Sequence, residues 1–261
     1  MAYIKEYWNE KEKKAEQAVS HTQEMEKNYG KEIQKAIQDT IVYDVDFVCT
    51  GDYSCEGQIT LEALDSVSAV LKAAETCQNR MAVLNFSSYK NPGGGFIGGS
   101  KAQEECLCHE SFLYNVLSQM TERFYDWNNQ NKNRAMYLNR GMYTPGVVFM
   151  REGKQAACDV ITCAAPNFSA AHRYQTVSRE ENTEVLRSRI RFVLDIAKEN
   201  QVNTLILGAY GCGVFGQNAA EVAKIFKEYL ATSHKCFERV IFAIPKGKDH
   251  NYNAFAEVWG S

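Results

Sequence analysis

The chain has 261 residues, 45% hydrophobic and 23% charged, with a formal net charge of -3, enough for one sizeable core or two small ones and a poor fit to disorder or coiled coil. Its 29 basic and 32 acidic residues leave no basic footprint, which argues against nonspecific nucleic-acid binding. No apolar run nears the roughly 18 residues that span a bilayer, and the opening MAYIKEYWNEKEKK lacks the apolar core of a signal peptide, so no membrane partner is expected.

Residues 1–38, rich in Lys, Glu, Gln and Ala and free of proline, read as a helical N-terminal extension, with residues 39–261 as the domain proper. Short apolar runs follow at Val45–Cys49, Met81–Phe86, Val147–Met150, Cys158–Cys163, Thr204–Gly208 and Arg239–Ile244. Most are nearly continuous, as in strands covered on both faces. Helical spacing appears at Leu61, Leu64, Val67, Leu71 and Ala74, at Leu186, Ile190, Val193 and Ala197, and at Val222, Phe226 and Tyr229. The fold class expected is α/β, a three-layer α/β/α sandwich with a mixed central sheet. Cys49 to Ile59 reads as an insertion. Pro92, Pro166 and Pro245 each follow an expected strand and Pro145 precedes one, and ligands in open α/β sheets bind beyond the carboxyl ends of strands. Nine cysteines, several in apolar runs, fit a reducing, cytoplasmic setting without a disulfide framework.

Nine of the 17 glycines fall within residues 93–99 and 208–216, and glycine bunched in this way lets backbone approach a ligand. In the first cluster, Gly93, Gly94 and Gly95 lead from a strand towards an expected helix spanning Gln103 to about Met120, which opens on Gln103, Glu104 and Glu105. Three bare glycines let successive N–H groups face an anion. The second, from Gly208 through Gly211, Cys212, Gly213, Val214, Phe215 and Gly216, joins an apolar strand to a helix start, the arrangement that cradles phosphate. It lacks the Gly-Lys-Ser/Thr of a P-loop. The dinucleotide spacing is present without an early βαβ unit or a downstream ribose-binding acid.

The glycine triplet followed by Gln103-Glu104-Glu105 resembles the signature of the poly(ADP-ribose) glycohydrolases, in their microbial, single-domain branch of the macrodomain superfamily. The second cluster resembles the diphosphate loop of macrodomains, and Ala164-Ala165-Pro166-Asn167 sits in a loop the branch shares. The resemblance implies a hydrolase that cuts the ribose–ribose bond of poly(ADP-ribose) from chain ends and takes ADP-ribose or its polymer, including polymer on modified proteins, as ligand. It implies Glu105 as catalytic acid, Glu104 on the adjoining ribose, and Gln103 setting that region. Gly93–Gly95 would cradle ribose and phosphate, Gly211–Gly216 would wrap the diphosphate, and Phe215 would pack on the distal ribose. Ser88 or Asn91 would touch the same ribose, and Ala165 and Asn167 would border the ligand. No cofactor and no metal is implied.

The residue chemistry agrees on one point. Glycosidic cleavage needs a proton for the leaving oxygen and an activated water. Sequence neighbours at a helix start point about 100° apart, so Glu104 and Glu105 cannot face each other across a sugar. One carboxyl, Glu105, is expected to start protonated, give its proton to the leaving oxygen and take one from water, with the like charge of Glu104 and of the diphosphate disfavouring its ionisation. Two alternatives stay open, a mono(ADP-ribosyl) hydrolase and a non-catalytic ADP-ribose-binding module. A zinc site at Cys106, Cys108 and His109 would need ligands from elsewhere, because Cys108 lies round the helix from the other two. Cys212 reads as a small packing residue, and Asn128–Asn133, bordered by Tyr125, Trp127 and Tyr137, as a solvent loop. Asp52 and Glu56 are the carboxylates considered for the adenine amino group.

Overall fold

The computed structural model describes residues 2–247 and 250–260, with side chains from residue 10 onward. Met1, which opens the expected extension, and residues 248, 249 and 261 lie outside the described residues. The extension is a 38-residue helix, α1 (Ala2–Asp39), kinked at Tyr29. Ala18, Met25, Ile33 and Ala36 form its buried stripe, so the helix is held by packing on the domain as well as by helix-favouring composition.

Seven strands form one sheet: β1 (Ile41–Tyr43), β2 (Gln58–Glu62), β3 (Met81–Phe86), β4 (Gly141–Arg151), β5 (Lys154–Cys163), β6 (Thr204–Leu207) and β7 (Arg239–Ala243). Their order is β1-β4-β5-β3-β6-β7-β2. From β5 to β2 all neighbours are parallel, while β4 runs antiparallel to both β1 and β5. The central strands β3 and β6 alternate their buried side chains between two cores, which explains their continuous apolar sequence.

One core joins α1 to α2 (Ser66–Ala74), α3 (Gln103–His109) and α4 (Leu113–Ser118). After α4 come a π-helical turn, Thr121–Tyr125, and the short α5 (Asp126–Gln130). Then α6 (Phe168–Gln175) precedes the helices of the second core, α7 (Arg179–Glu199), α8 (Ala219–Ala231) and α9 (Asn251–Trp259). The result is the expected α/β/α sandwich.

Four local expectations are corrected. Val45–Cys49 is not a strand: β1 ends at Tyr43, and residues 44–57 form an irregular strap tied down by Cys55 N–H to the Lys235 carbonyl at 2.9 Å. The chain after the irregular strap enters edge strand β2, which takes Leu61 out of the expected helix. That helix starts later because Asp65 caps α2, accepting from Val67 N at 3.0 Å and Ser68 N at 3.1 Å. The expected helix over 103–120 is two, because Glu110–Phe112 turns aside to meet β4: Met150 N donates to the Glu110 carbonyl at 2.8 Å. Pro145 lies inside β4, at a register shift between Thr144 and Val147, where its missing N–H is tolerated.

Candidate active site

The carboxyl ends of the parallel strands open on a cleft of about 810 Å³. Strand β3 delivers residues 87–100, and the chain then turns into α3, which begins with Gln103. The Gln103 amide is fully used: Oε1 accepts from Phe86 N at 2.8 Å, and Nε2 donates to the Leu84 carbonyl at 2.8 Å and to Ser66 Oγ at 3.0 Å. It therefore pins the start of α3 to the end of β3 and to the start of α2.

The two glutamates are held by different segments. Glu104 Oε2 accepts from Ser88 N at 2.7 Å and Oε1 from Asn85 Nδ2 at 3.2 Å. Glu105 Oε1 accepts from Gly95 N at 2.8 Å and Oε2 from Ala102 N at 2.9 Å, so the second glutamate ties the glycine loop to the helix start. Both border the cleft and are nearly buried, at 3% and 6% exposure. Burial lifts the Glu104 carboxyl to about 8, against the Ser88 and Asn85 bonds that favour its anion. At neutral pH Glu104 is therefore largely uncharged, so the like-charge repulsion expected from it on its neighbour is largely absent.

Gly93 and Gly94 take φ of +63° and +61°, which glycine adopts without a Cβ penalty. A Cβ on Gly93 would collide with the Tyr114 ring at 2.7 Å. Across the cleft, Gly211, also left-handed at +74°, presses on Ala165, and Gln217 N–H donates to the Gly211 carbonyl at 3.0 Å. Gln217 Nε2 reaches the Pro166 carbonyl at 2.7 Å and Ser169 N the Phe215 carbonyl at 3.1 Å. The two loops are therefore one braced wall.

Of the residues expected at the site, Ser88, Gly94, Gln103, Glu104 and Glu105 border the cleft from one side, and Ala165, Asn167, Gly211, Gly213, Val214 and Phe215 from the other. Asn91, Gly93, Gly95, Cys212 and Gly216 do not border it. Asn91 and Gly95 act through backbone bonds, Asn91 N to Ser88 Oγ at 3.1 Å and Gly95 N to Glu105. Gly93 and Gly216 make close contacts behind the loops, with Tyr114 and Ser169. Asp52 and Glu56 are exposed on the strap and away from the cleft. Besides Glu104 and Glu105, the carboxylate that does border it is Asp65, which caps α2 and pairs with Arg151 at 2.8 Å. Its place was hidden in sequence because an Asp before a helix already has a capping role.

Tyr137 was missed for another reason. It has φ +60°, rare for a bulky residue, and its ring stacks on Tyr89 with centroids 4.1 Å apart and faces Phe215 at 6.1 Å. The Asn-rich stretch read as a solvent loop supports this pair. Asn128 is buried, with Nδ2 donating to the Tyr89 carbonyl at 2.9 Å, and the Asn131 carbonyl accepts from Tyr89 Oη at 3.0 Å. Among the described residues no group of three His, Cys, Asp or Glu side chains is placed to hold a metal. Cys108 is buried, and the His109 ring packs on Phe96 at 4.6 Å.

Comparison with known proteins places this geometry. The model of the microbial-type PARG catalytic domain matches residues 9–152, a range that begins inside α1. The structure resembles poly(ADP-ribose) glycohydrolase from Thermomonospora curvata, with a TM-score of 0.85, 26% identity, and coverage of 95% of this chain and 99% of that one. The same enzyme bound to the inhibitor ADP-HPD gives a TM-score of 0.83 at 26% identity over 94% and 99% of the two chains. Poly(ADP-ribose) glycohydrolase from Deinococcus radiodurans in complex with ADP-ribose gives 0.78 at 30% identity over 87% and 96%. No curated protein sequence matches. With more than half its length inside the family model and the whole sandwich shared with these enzymes, the chain belongs to the microbial-type poly(ADP-ribose) glycohydrolases.

Proposed function

We propose that this glycohydrolase removes ADP-ribose from the ends of poly(ADP-ribose), including polymer carried on modified proteins, with Glu105 as the acid–base group. The observation that carries the reading is the position of Glu105. Its carboxyl is fixed by the N–H groups of Gly95 and Ala102 and borders the cleft between the glycine loop and the Gly211–Phe215 wall. The diphosphate lies along that wall, the distal ribose against Phe215, and the ribose next to the cleaved bond on Glu104 and the Ser88 loop. Asp65 and Ile244–Pro245 border the same cleft and would lie against the adenine of a terminal unit.

Cleavage passes through an oxocarbenium-like state. Glu105 gives its proton to the departing ribose oxygen as the glycosidic bond breaks, then takes a proton from the water whose oxygen bonds to the anomeric carbon. Glu104, kept largely neutral by burial, binds ribose hydroxyls without adding a second negative charge beside the diphosphate. Gln103 holds the start of α3 in register. A reducing cytoplasm suits nine free thiols.

The test is product chromatography of Glu105→Gln and wild-type protein on polymer, mono-modified protein and free ADP-ribose. Wild-type release of ADP-ribose from polymer, with a loss of about 10²–10⁴-fold in the variant, is expected. Near-native turnover by Glu105→Gln overturns the assignment, and release from mono-modified protein alone overturns the substrate.

A further inference from the structure

Arg189 sits on the apolar stripe of α7, one position before Ile190, and is fully buried. Its Nε donates to Asn139 Oδ1 at 2.8 Å and Nη1 to the Ala164 carbonyl, while Nη2 has no hydrogen-bond partner. No carboxylate among the described residues pairs with it. Its surroundings are the neutral Tyr89, Tyr137, Tyr210 and Cys163: burial pushes all four acidic groups up, and the Arg189 cation is among the influences that pull them back. An interior cation without a counter-charge is costly.

The loop above it is fastened carbonyl by carbonyl. Tyr210 Oη donates to the Cys163 carbonyl at 3.0 Å, Arg189 to that of Ala164, and Gln217 to that of Pro166 at 2.7 Å. In a trans peptide the N–H points opposite to the C=O, so the Ala165 N–H points away from Arg189, and Ala165 itself borders the cleft. The guanidinium thus stands behind a peptide dipole whose positive end faces outward.

We propose that Arg189 is a buried positioning residue for the ligand's diphosphate, which supplies the counter-charge the fold omits, the Ala164–Ala165 peptide lying between them. This rests on the reading that the Gly211–Phe215 wall holds the diphosphate. Keeping the cation one layer behind the wall strengthens its field through low-dielectric packing without a flexible side chain in the cleft.

The test compares ADP-ribose with adenosine, which lacks the diphosphate, by calorimetric titration into wild-type, Arg189→Met and Arg189→Lys protein, alongside steady-state kinetics on polymer. Arg189→Met is expected to weaken ADP-ribose by about tenfold or more with adenosine changed by less than about twofold, and to raise KM while kcat stays within about threefold. Arg189→Lys, whose ammonium is pushed towards the neutral amine by burial without a counter-charge, is expected to bind ADP-ribose selectively more weakly than wild type at pH 8 and to come within about threefold of it at pH 6. Equal losses for both ligands, or no loss for either, overturn the proposal and leave Arg189 a packing pillar. If Arg189→Met does not fold, Arg189→Lys decides: a selective ADP-ribose loss relative to wild type at pH 8 that is recovered at pH 6 supports a role for charge, and an affinity whose ratio to wild type does not change with pH overturns it. Wild-type protein that binds neither ligand overturns the reading of the cleft and this proposal with it.

Discussion

A Cβ on Gly94 would stand 2.7 Å from Oε1 of Glu105 and 2.9 Å from Oε2 of Glu104, with the backbone at φ +61°. The glycine triplet and the acid pair are therefore one steric unit, and the eight residues between them, Phe96 to Gln103, are the segment needed to bring the pair back against the triplet. Gly94→Ala is expected to push both carboxyls out of place while the remote core stays intact. Displacements near 1 Å at a reacting group cost about 10²-fold, so kcat on polymer should fall by that order with an unchanged far-ultraviolet dichroism spectrum. A variant with native kcat would separate the triplet from the chemistry.

Gly99 makes the equivalent contact with the N-terminal helix. It is buried at φ +74°, and a Cβ there would overlap the Lys11 carbonyl oxygen and approach Ala15 N at 3.2 Å. Gly99→Ala is expected to lift α1 off the glycine loop and cost about 1–3 kcal/mol, the range of overpacked sites, measured by urea denaturation. The nearby Lys101–Glu10 ion pair is exposed on both sides, and exposed pairs contribute little, so Lys101→Ala should leave the denaturation midpoint unchanged. The opposite ranking would mean that charge rather than backbone contact docks the helix.

Glu104 gives a pH signature whose sign is fixed. Burial raises its carboxyl from the ordinary 4.5 to about 8, so between those values the folded chain holds a proton that the unfolded chain has lost. The stabilisation is fully present below about 4.5 and is lost as pH rises through about 8, with a steepest slope of about 1.4 kcal/mol per pH unit from this one group. Glu104→Gln, permanently neutral, should flatten that part of the stability profile, whereas Glu105→Gln leaves it in place. Denaturant midpoints from pH 4 to pH 9 read the difference, and parallel wild-type and Glu104→Gln profiles would refute it.

Much of the site was legible because its residues have few other uses. Three successive glycines followed at fixed distance by two acids are not explained by a helix start alone, and continuous apolar runs marked β3, β5, β6 and β7 because both faces of the sheet are covered. The edge strands escaped notice. In β1 and β2 only Tyr43 is buried, so neither carries the apolar run that marks a central strand, and Leu61, Leu64 and Val67 mimic helical spacing although they lie in a strand, a bend and the first turn of α2. The aromatic wall escaped as well. Tyr89 and Tyr137 lie 48 positions apart and meet only because residues 133–137 take mostly left-handed backbone angles, Met136 being the exception, a strain with no sequence signal. Arg189 was passed over because a lone cation between apolar helix positions looks like a surface residue until the layer above it is known.

Gln103 separates a binding role from a positioning one. Each of its three hydrogen bonds goes to protein, to Phe86 N, the Leu84 carbonyl and Ser66 Oγ, so the side chain has little left for substrate. Gln103→Ala strands a β3 amide and carbonyl, at a cost of about 1–3 kcal/mol for groups left unsatisfied, and frees the start of α3 to shift with Glu104 and Glu105 on its first turn. Gln103→Glu keeps the acceptor for Phe86 N but removes the donor to Leu84, placing a carboxylate against a carbonyl and beside Glu104 in a poorly solvated corner. If Gln103 only positions the helix, both variants should lower stability and kcat together, and both should leave the affinity for ADP-ribose, measured by calorimetry, within a few-fold. A selective loss of affinity at native stability would instead place the Gln103 amide on the ligand, and would require the Phe86 and Leu84 bonds to break when substrate enters.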